Sequence, residues 1–183
     1  SIESNLVGHN VPMPTDSGNA SATADARGIL FANAGSSGRS YGYLEQFHAR
    51  SEWIGTISLT GGTGFFHILP GSISLTYGPQ ASARYLLEIW DNTIGSLLWS
   101  SSATAVNTGN GISLTKSGTD LGGTESGDGF FWYAYSFTDF HIQVNNIGAG
   151  HTLTYVMDVL TTNSGRANIG DPFNGGFIQE GFI

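Results

Sequence analysis

The amino-acid sequence predicts an all-β protein: a single antiparallel two-sheet β-sandwich, jelly-roll-like, with little or no helix. Three observations carry that expectation. Apolar residues alternate with polar ones over short runs, which is the two-residue period of a half-buried strand. The runs are punctuated by Gly, Ser and Asn, with 27 glycines in 183 residues, and these residue types supply the turns that reverse strands. Helical periodicity, by contrast, is hard to find. Many short strands at such spacing pack as two sheets face to face.

Taken in order, the strand-like runs are 28–34, 41–49, 52–60, 64–69, 72–78, 83–91, 94–106, 111–116, 130–144 and 151–162. The last two have the clearest period of two. In 151–162, Leu153, Tyr155, Met157 and Val159 alternate with Thr152, Thr154, Val156 and Asp158, so one set is expected inside. From Phe140 onward, Ile142 and Val144 share a face, while His141, and His67 in its own run, point outward. Gly61-Gly62 joins two strand-like runs, and Asp91-Asn92-Thr93 stands where a hairpin would reverse. The stretch from Asn145 to Gly150 offers residues that tolerate positive φ. Only 15–27 (TDSGNASATADAR) tolerates a helix, with Asp16 or Ser17 as its cap and Gly18 weakening it. No linker divides the chain and no repeat of roughly 20–50 residues appears, so 1–183 reads as one domain.

Composition narrows the function. Six Lys and Arg stand against 14 Asp and Glu, a formal charge of −8, and Lys116 is the only lysine. Such a chain has no electrostatic footprint for nucleic acid or anionic lipid. Charged residues make up 11%, against about 25% in ordinary soluble domains. The surface is therefore built of Ser, Thr, Asn and Gly, as on many secreted β-proteins. Without cysteine there is neither a disulfide framework nor a thiolate metal site. No apolar run approaches the ~20 residues that cross a bilayer as a helix, so no membrane insertion is expected. A chain opening SIESN without Met is expected of a processed exported product, placed outside the cell or at its surface.

Catalytic motifs are missing. There is no Cys nucleophile, P-loop, GxSxG elbow or HExxH helix, so no enzyme and no catalytic residue is expected. His9, His48, His67, His141 and His151 are scattered one per segment. Glu45, Glu52 and Glu88 lie on strand-like runs; a facing pair would suit glycoside hydrolysis, although strand glutamates more often face solvent. The loop 120–129 (DLGGTESGDG) gathers Asp120, Glu125 and Asp128. Calcium takes several hard oxygens on a pliable loop, so these three are the calcium candidates, without the EF-hand spacing; no other cofactor is expected. The stretch FFWYAYSF alternates Phe130, Trp132, Ala134 and Ser136 with Phe131, Tyr133, Tyr135 and Phe137. Aromatic on both faces, it is expected to be covered on both, as a central strand or beneath a loop. Its alternatives are a subunit interface or a platform of Phe131, Trp132, Tyr133 and Tyr135 stacking on sugar rings.

The stretch GAGHTLTYVMDVLTTNSGRANIGDPF resembles the C-terminal part of bacterial PEP-CTERM, exosortase-sorted, proteins. The resemblance rests on the turn at Ala149-Gly150, the alternating strand Thr152 to Leu160, and an element made of Ala167, Gly170, Asp171 and Pro172. ISLTGGTGFFHIL at 57–69 is similar to that family's strand–GG–strand hairpin. Independently, Gly170 permits a sharp bend, Pro172 forbids further helix, and Asp171 can accept backbone N–H bonds. The chain lacks the family's Pro-Glu-Pro signal, apolar span and basic tail, ending GGFIQEGFI, which leaves surface sorting open. The resemblance implies a secreted protein of exopolysaccharide or biofilm matrix, usually without enzymatic activity.

The expected function is therefore a structural matrix protein that self-associates, as a homopolymer or filament subunit, with exopolysaccharide as a further partner. Its interface is expected at the chain ends. Phe177, Ile178, Phe182 and Ile183 stand near one terminus and Ile2, Leu6, Val7 and Val11 near the other. Each such side chain stabilises by about 1.5–3 kcal/mol when buried. Segments 176–183 and 1–13 are thus the candidates for strands exchanged between subunits. With one Lys and five Pro, the sheet edges have few of the residues that usually guard them. The alternative is a secreted carbohydrate-binding module using the aromatic strand 130–137.

Overall fold

The computed structural model describes residues 2–9, 17–24, 30–37, 46–56, 61–76, 80–170 and 177–183. Among these residues there are fifteen strands and no helix. They are β1 (Ile2–His9), β2 (Ser17–Ala24), β3 (Leu30–Ser37), β4 (Gln46–Thr56), β5 (Gly62–Ile68), β6 (Gly71–Thr76), β7 (Ser82–Asp91) and β8 (Ser96–Asn107). The rest are β9 (Ile112–Gly118), β10 (Thr124–Gly127), β11 (Trp132–Phe137), β12 (Phe140–Ile147), β13 (Thr152–Thr162), β14 (Gly165–Ile169) and β15 (Phe177–Phe182). All pairings are antiparallel. The first sheet is β1-β4-β13-β7-β8-β9; the second is β10-β11-β6-β14-β3-β15-β5-β12, with β2 paired to β3. The all-β sandwich expected from the alternation is what forms.

The second sheet is simpler than its strand count. Phe137 lies opposite Gly71 and Phe140 opposite Ile68. Three residues pass on each side of the break, so the ladder resumes without slipping. β5–β6 and β11–β12 are therefore two long lanes, each interrupted once, at Leu69-Pro70 and at Thr138-Asp139. Pro70 has no N–H for a ladder bond, which accounts for the interruption on its side. On the other flank, β14 ends with Ile169 opposite Gly71 and β15 begins with Phe177 opposite Ile68. There the chain passes from 169 to 177 while its partner moves only from 71 to 68.

The core lies between the sheets. Leu153, Tyr155, Met157 and Val159 are fully buried, as the alternation in 151–162 requires. Tyr85 and Leu87 of β7 join them, facing Phe66, Ile73, Tyr135 and Phe137 of the second sheet. Aromatic rings bridge the layers: Phe66 meets Tyr155 edge-on at 5.1 Å, and Tyr85 meets Phe137 at 5.2 Å. Burial pushes the phenols of Tyr85 and Tyr155 above their ordinary pKa.

Several sequence expectations are corrected. The helix-tolerant segment 15–27 contains strand β2, paired along its whole length from Ser17 opposite Ser37 to Ala24 opposite Leu30. Ala20, Ala22 and Ala24 alternate with Asn19, Ser21 and Thr23, a period of two written in residues too small to register as apolar. The runs 41–49 and 52–60 meet in the single strand β4; buried Ser51 had broken the apolar pattern between them. Gly61-Gly62 does not close a hairpin, because β4 and β5 belong to different sheets. Finally, 130–144 is not covered on both faces: β11 buries Tyr133, Tyr135 and Phe137 but leaves Trp132 49% exposed. The strand buried on both sides is β13, central in its sheet.

Candidate functional site

Both chain ends are strands of their own sandwich. β1, which carries Ile2, Leu6 and Val7, forms an edge of the first sheet, from Ile2 opposite Trp53 to His9 opposite Gln46. Val11 lies outside the described residues. β15, which carries Phe177, Ile178 and Phe182, pairs with β5 from Phe177 opposite Ile68 to Phe182 opposite Gly64, and meets β3 at one pair, Phe177 opposite Leu30. Beyond it, the Ile183 N–H donates to the Thr63 carbonyl at 3.0 Å and the Thr63 N–H donates to the Ile183 carbonyl at 2.7 Å. The Ile183 side chain is left 85% exposed. After β14, Gly170 has a φ of 80° and its N–H donates to the Pro70 carbonyl at 3.3 Å. Asp171 and Pro172 lie outside the described residues.

The expected sugar platform divides. Tyr133 and Tyr135 are core residues, while Phe130, Phe131 and Trp132 form an exposed aromatic tip at the β10–β11 turn. The tip is held by a residue first singled out for calcium. Asp128 Oδ1 accepts the N–H groups of Phe130, Phe131 and Trp132 at 2.8, 2.6 and 3.0 Å. Those bonds, led by the Trp132 N–H, hold its carboxyl below the ordinary carboxylate range.

The other two acidic residues face different partners. Asp120 accepts from Lys116 Nζ at 2.9 Å and from the Gly122 N–H at 3.0 Å. The lysine ammonium, then that N–H, lowers its pKa. Glu125 accepts the Tyr133 hydroxyl at 2.9 Å. Among the described residues no three His or acidic side chains are arranged to hold a metal ion. Thus Asp120, Glu125 and Asp128 serve three separate hydrogen-bonding tasks in this structure.

Register brings together side chains that the sequence had scattered. His67 and His141 are cross-strand partners with rings stacked at 4.4 Å and 6°, and Asp139 lies 3.7 Å from His67. His151 Nδ1 meets buried Asp91 at 2.6 Å, bracing the β7–β8 turn. His48 bonds Asp158, which also takes Arg84 at 2.6 Å. Glu52 and Glu88 lie on either side of Val156 across the first sheet; Glu45 falls outside the described residues. None of these pairings is legible from spacing along the chain, because strand register alone creates them.

Three of the edge strands are better guarded than composition implied, whereas edge strand β1 has eight residues with neither Lys nor Pro. The single lysine stands on edge strand β9, β10 is only four residues long, and β12 carries a bulge between Val144 and Ile147. Charge, shortness and bulges all discourage edge-to-edge pairing. No known protein family and no curated protein matches this chain.

Proposed function

We propose that this protein is a non-enzymatic structural subunit of an extracellular bacterial matrix that joins copies head to tail by exchanging its last strand. The observation that carries the reading is the ladder of β15 on β5, from Phe177 to Phe182. The same ladder to β5 forms whether β15 comes from its own chain or from a neighbour, and vacating it strips backbone partners from β5. Exchange of β15 also bypasses the guarded edges.

The distribution of exposed apolar residues supports a head-to-tail arrangement. Trp132 pairs with Thr76 at one end of the long ladder, and Ile147 with Gly62 at the other. Phe130, Phe131 and Trp132 crown the first pole; Ile183 and Ile94, in the turn after Asp91, stand at the second. Unlike surfaces at opposite poles belong to a heterologous contact, which builds an open filament. The place in an exopolysaccharide matrix draws on the resemblance of 149–172 to exosortase-sorted proteins.

Deleting 177–183 tests the reading by sedimentation. The intact chain is expected to form large particles, and the truncated chain to stay small until a peptide of sequence 176–183 is added. Polymers that persist without the segment, or an intact chain that stays monomeric at high concentration, would refute it. A second reading, glycan binding at the aromatic tip, is favoured only by the exposure of Phe131 and Trp132 on their Asp128 clamp.

A further inference from the structure

We propose that the outer face of the first sheet, along β13, is a binding trough for a neutral saccharide. This inference draws on the matrix reading for its partner class and not on strand exchange. Leu153, Tyr155, Met157 and Val159 face the core, so Thr154, Val156 and Asp158 face away from it, yet they are only 5%, 1% and 3% exposed. These three are the floor. The walls come from the flanking strands: Asp158 lies opposite Arg50, Val156 opposite both Glu52 and Glu88, and Thr154 opposite Trp90.

The wall side chains are held in position. Arg84 donates to Asp158 at 2.6 Å, and Arg50 lies 3.9 Å from Asp158 and 3.3 Å from Glu52. Trp90 Nε1 donates to Glu88 at 2.8 Å, which fixes the indole. Both guanidinium side chains remain 37% exposed, so each keeps donors for a ligand. Arg84 Nε is out of solvent without a hydrogen-bond partner, an unspent donor that calls for an explanation in a folded protein.

The donor set selects the ligand class. Three carboxylates outnumber two guanidinium groups, so the trough has no positive field for a polyanion, least of all on a chain of charge −8. Neighbouring donors and acceptors instead suit adjacent hydroxyl groups, each of which gives and takes a hydrogen bond. The half-buried Trp90 supplies a flat apolar surface for the C–H face of a sugar ring. The aromatic tip lacks this complement, because Asp128 is already committed to three backbone N–H groups.

Affinity electrophoresis of the intact chain through dextran, xylan or alginate tests the proposal. Retardation by a neutral polysaccharide is expected, weakened about tenfold by Trp90→Ala and by Arg50→Gln, with Phe131→Ser unchanged. Glu88→Gln, which keeps an acceptor for Trp90, replaces either variant that misfolds and is expected to weaken binding too. Loss of binding on Phe131→Ser with the trough variants intact would overturn the assignment, as would retardation by alginate alone or by none of the three. A chain that binds while remaining monomeric would refute strand exchange and leave the trough standing.

Discussion

The two sheets solve the same packing problem with different chain economy. In the first, each lane is one uninterrupted strand, and β4, β7, β8 and β13 run ten to twelve residues. In the second, three adjacent lanes, β14–β15, β6–β5 and β11–β12, are assembled from pairs of shorter strands laid end to end. A continuous lane is fixed by its own alternation. An assembled lane relies on its neighbours to hold register across the break, as Phe137 opposite Gly71 and Phe140 opposite Ile68 do. It is the assembled sheet that holds β15, beside β5.

The strongest way to break this arrangement is at Gly165, where β14 of the second sheet passes closest to β7 of the first. A Cβ there would collide with the backbone carbonyl of Ser82, and a backbone atom cannot step aside as a side-chain end can. Gly165→Ala is expected to destabilise by about 3 kcal/mol, the upper range for overpacking, read from urea midpoints. Gly109→Ala is the control: its φ of 85° disfavours a side chain but nothing lies within 4 Å. It is expected to cost about 1 kcal/mol. Equal costs at the two sites would show that the close approach of the sheets contributes nothing.

What could be read in the sequence follows the same division. The uninterrupted lanes announce themselves: Leu153 to Val159 alternate cleanly, and Asp91-Asn92-Thr93 reverses the chain between β7 and β8 as expected. The assembled sheet is harder. Its strands β2, β10 and β14 are short or rich in small and polar residues, and their pairing depends on partners far along the chain. The site residues are harder still. Asp128 was visible as an acid among glycines, but its three N–H partners are set by a turn geometry that composition does not encode. Asp158, with Arg84 and Arg50 around it, was invisible because three strands must align before the cluster exists.

A smaller effect sharpens the contrast at the aromatic tip, where of the three aromatic residues only Trp132 pairs with a neighbouring lane, opposite Thr76. Asp128 has a depressed pKa in the folded protein, so its contribution is present above the unfolded carboxylate value and lost as pH falls through the folded one. Acidification below the ordinary carboxylate range is therefore expected to release the tip while the core stays intact. Hydrogen exchange at the amides of Phe130, Phe131 and Trp132 should accelerate in acid relative to amides of β13, after correction for intrinsic rates. Asp128→Ala should give the same acceleration at neutral pH. Unchanged protection in that variant would assign the tip's order to the β10–β11 ladder instead.

The smallest expected effect concerns calcium. A calcium ion needs several oxygens converging on one point, whereas the acids of 120–129 diverge: Asp120 toward Lys116, Glu125 toward Tyr133, Asp128 into its own turn. To gather them, the ion would have to displace the Lys116 ammonium, pull Glu125 from a core tyrosine and undo three backbone bonds. Each displaced group would then need a new partner. Millimolar calcium is therefore expected to leave the melting temperature unchanged, with Asp120→Asn and Asp128→Asn responding no differently from the parent chain. A rise in melting temperature on adding calcium, abolished by either substitution, would show that the loop rearranges around the ion. The tip would then be ordered by metal rather than by hydrogen bonds.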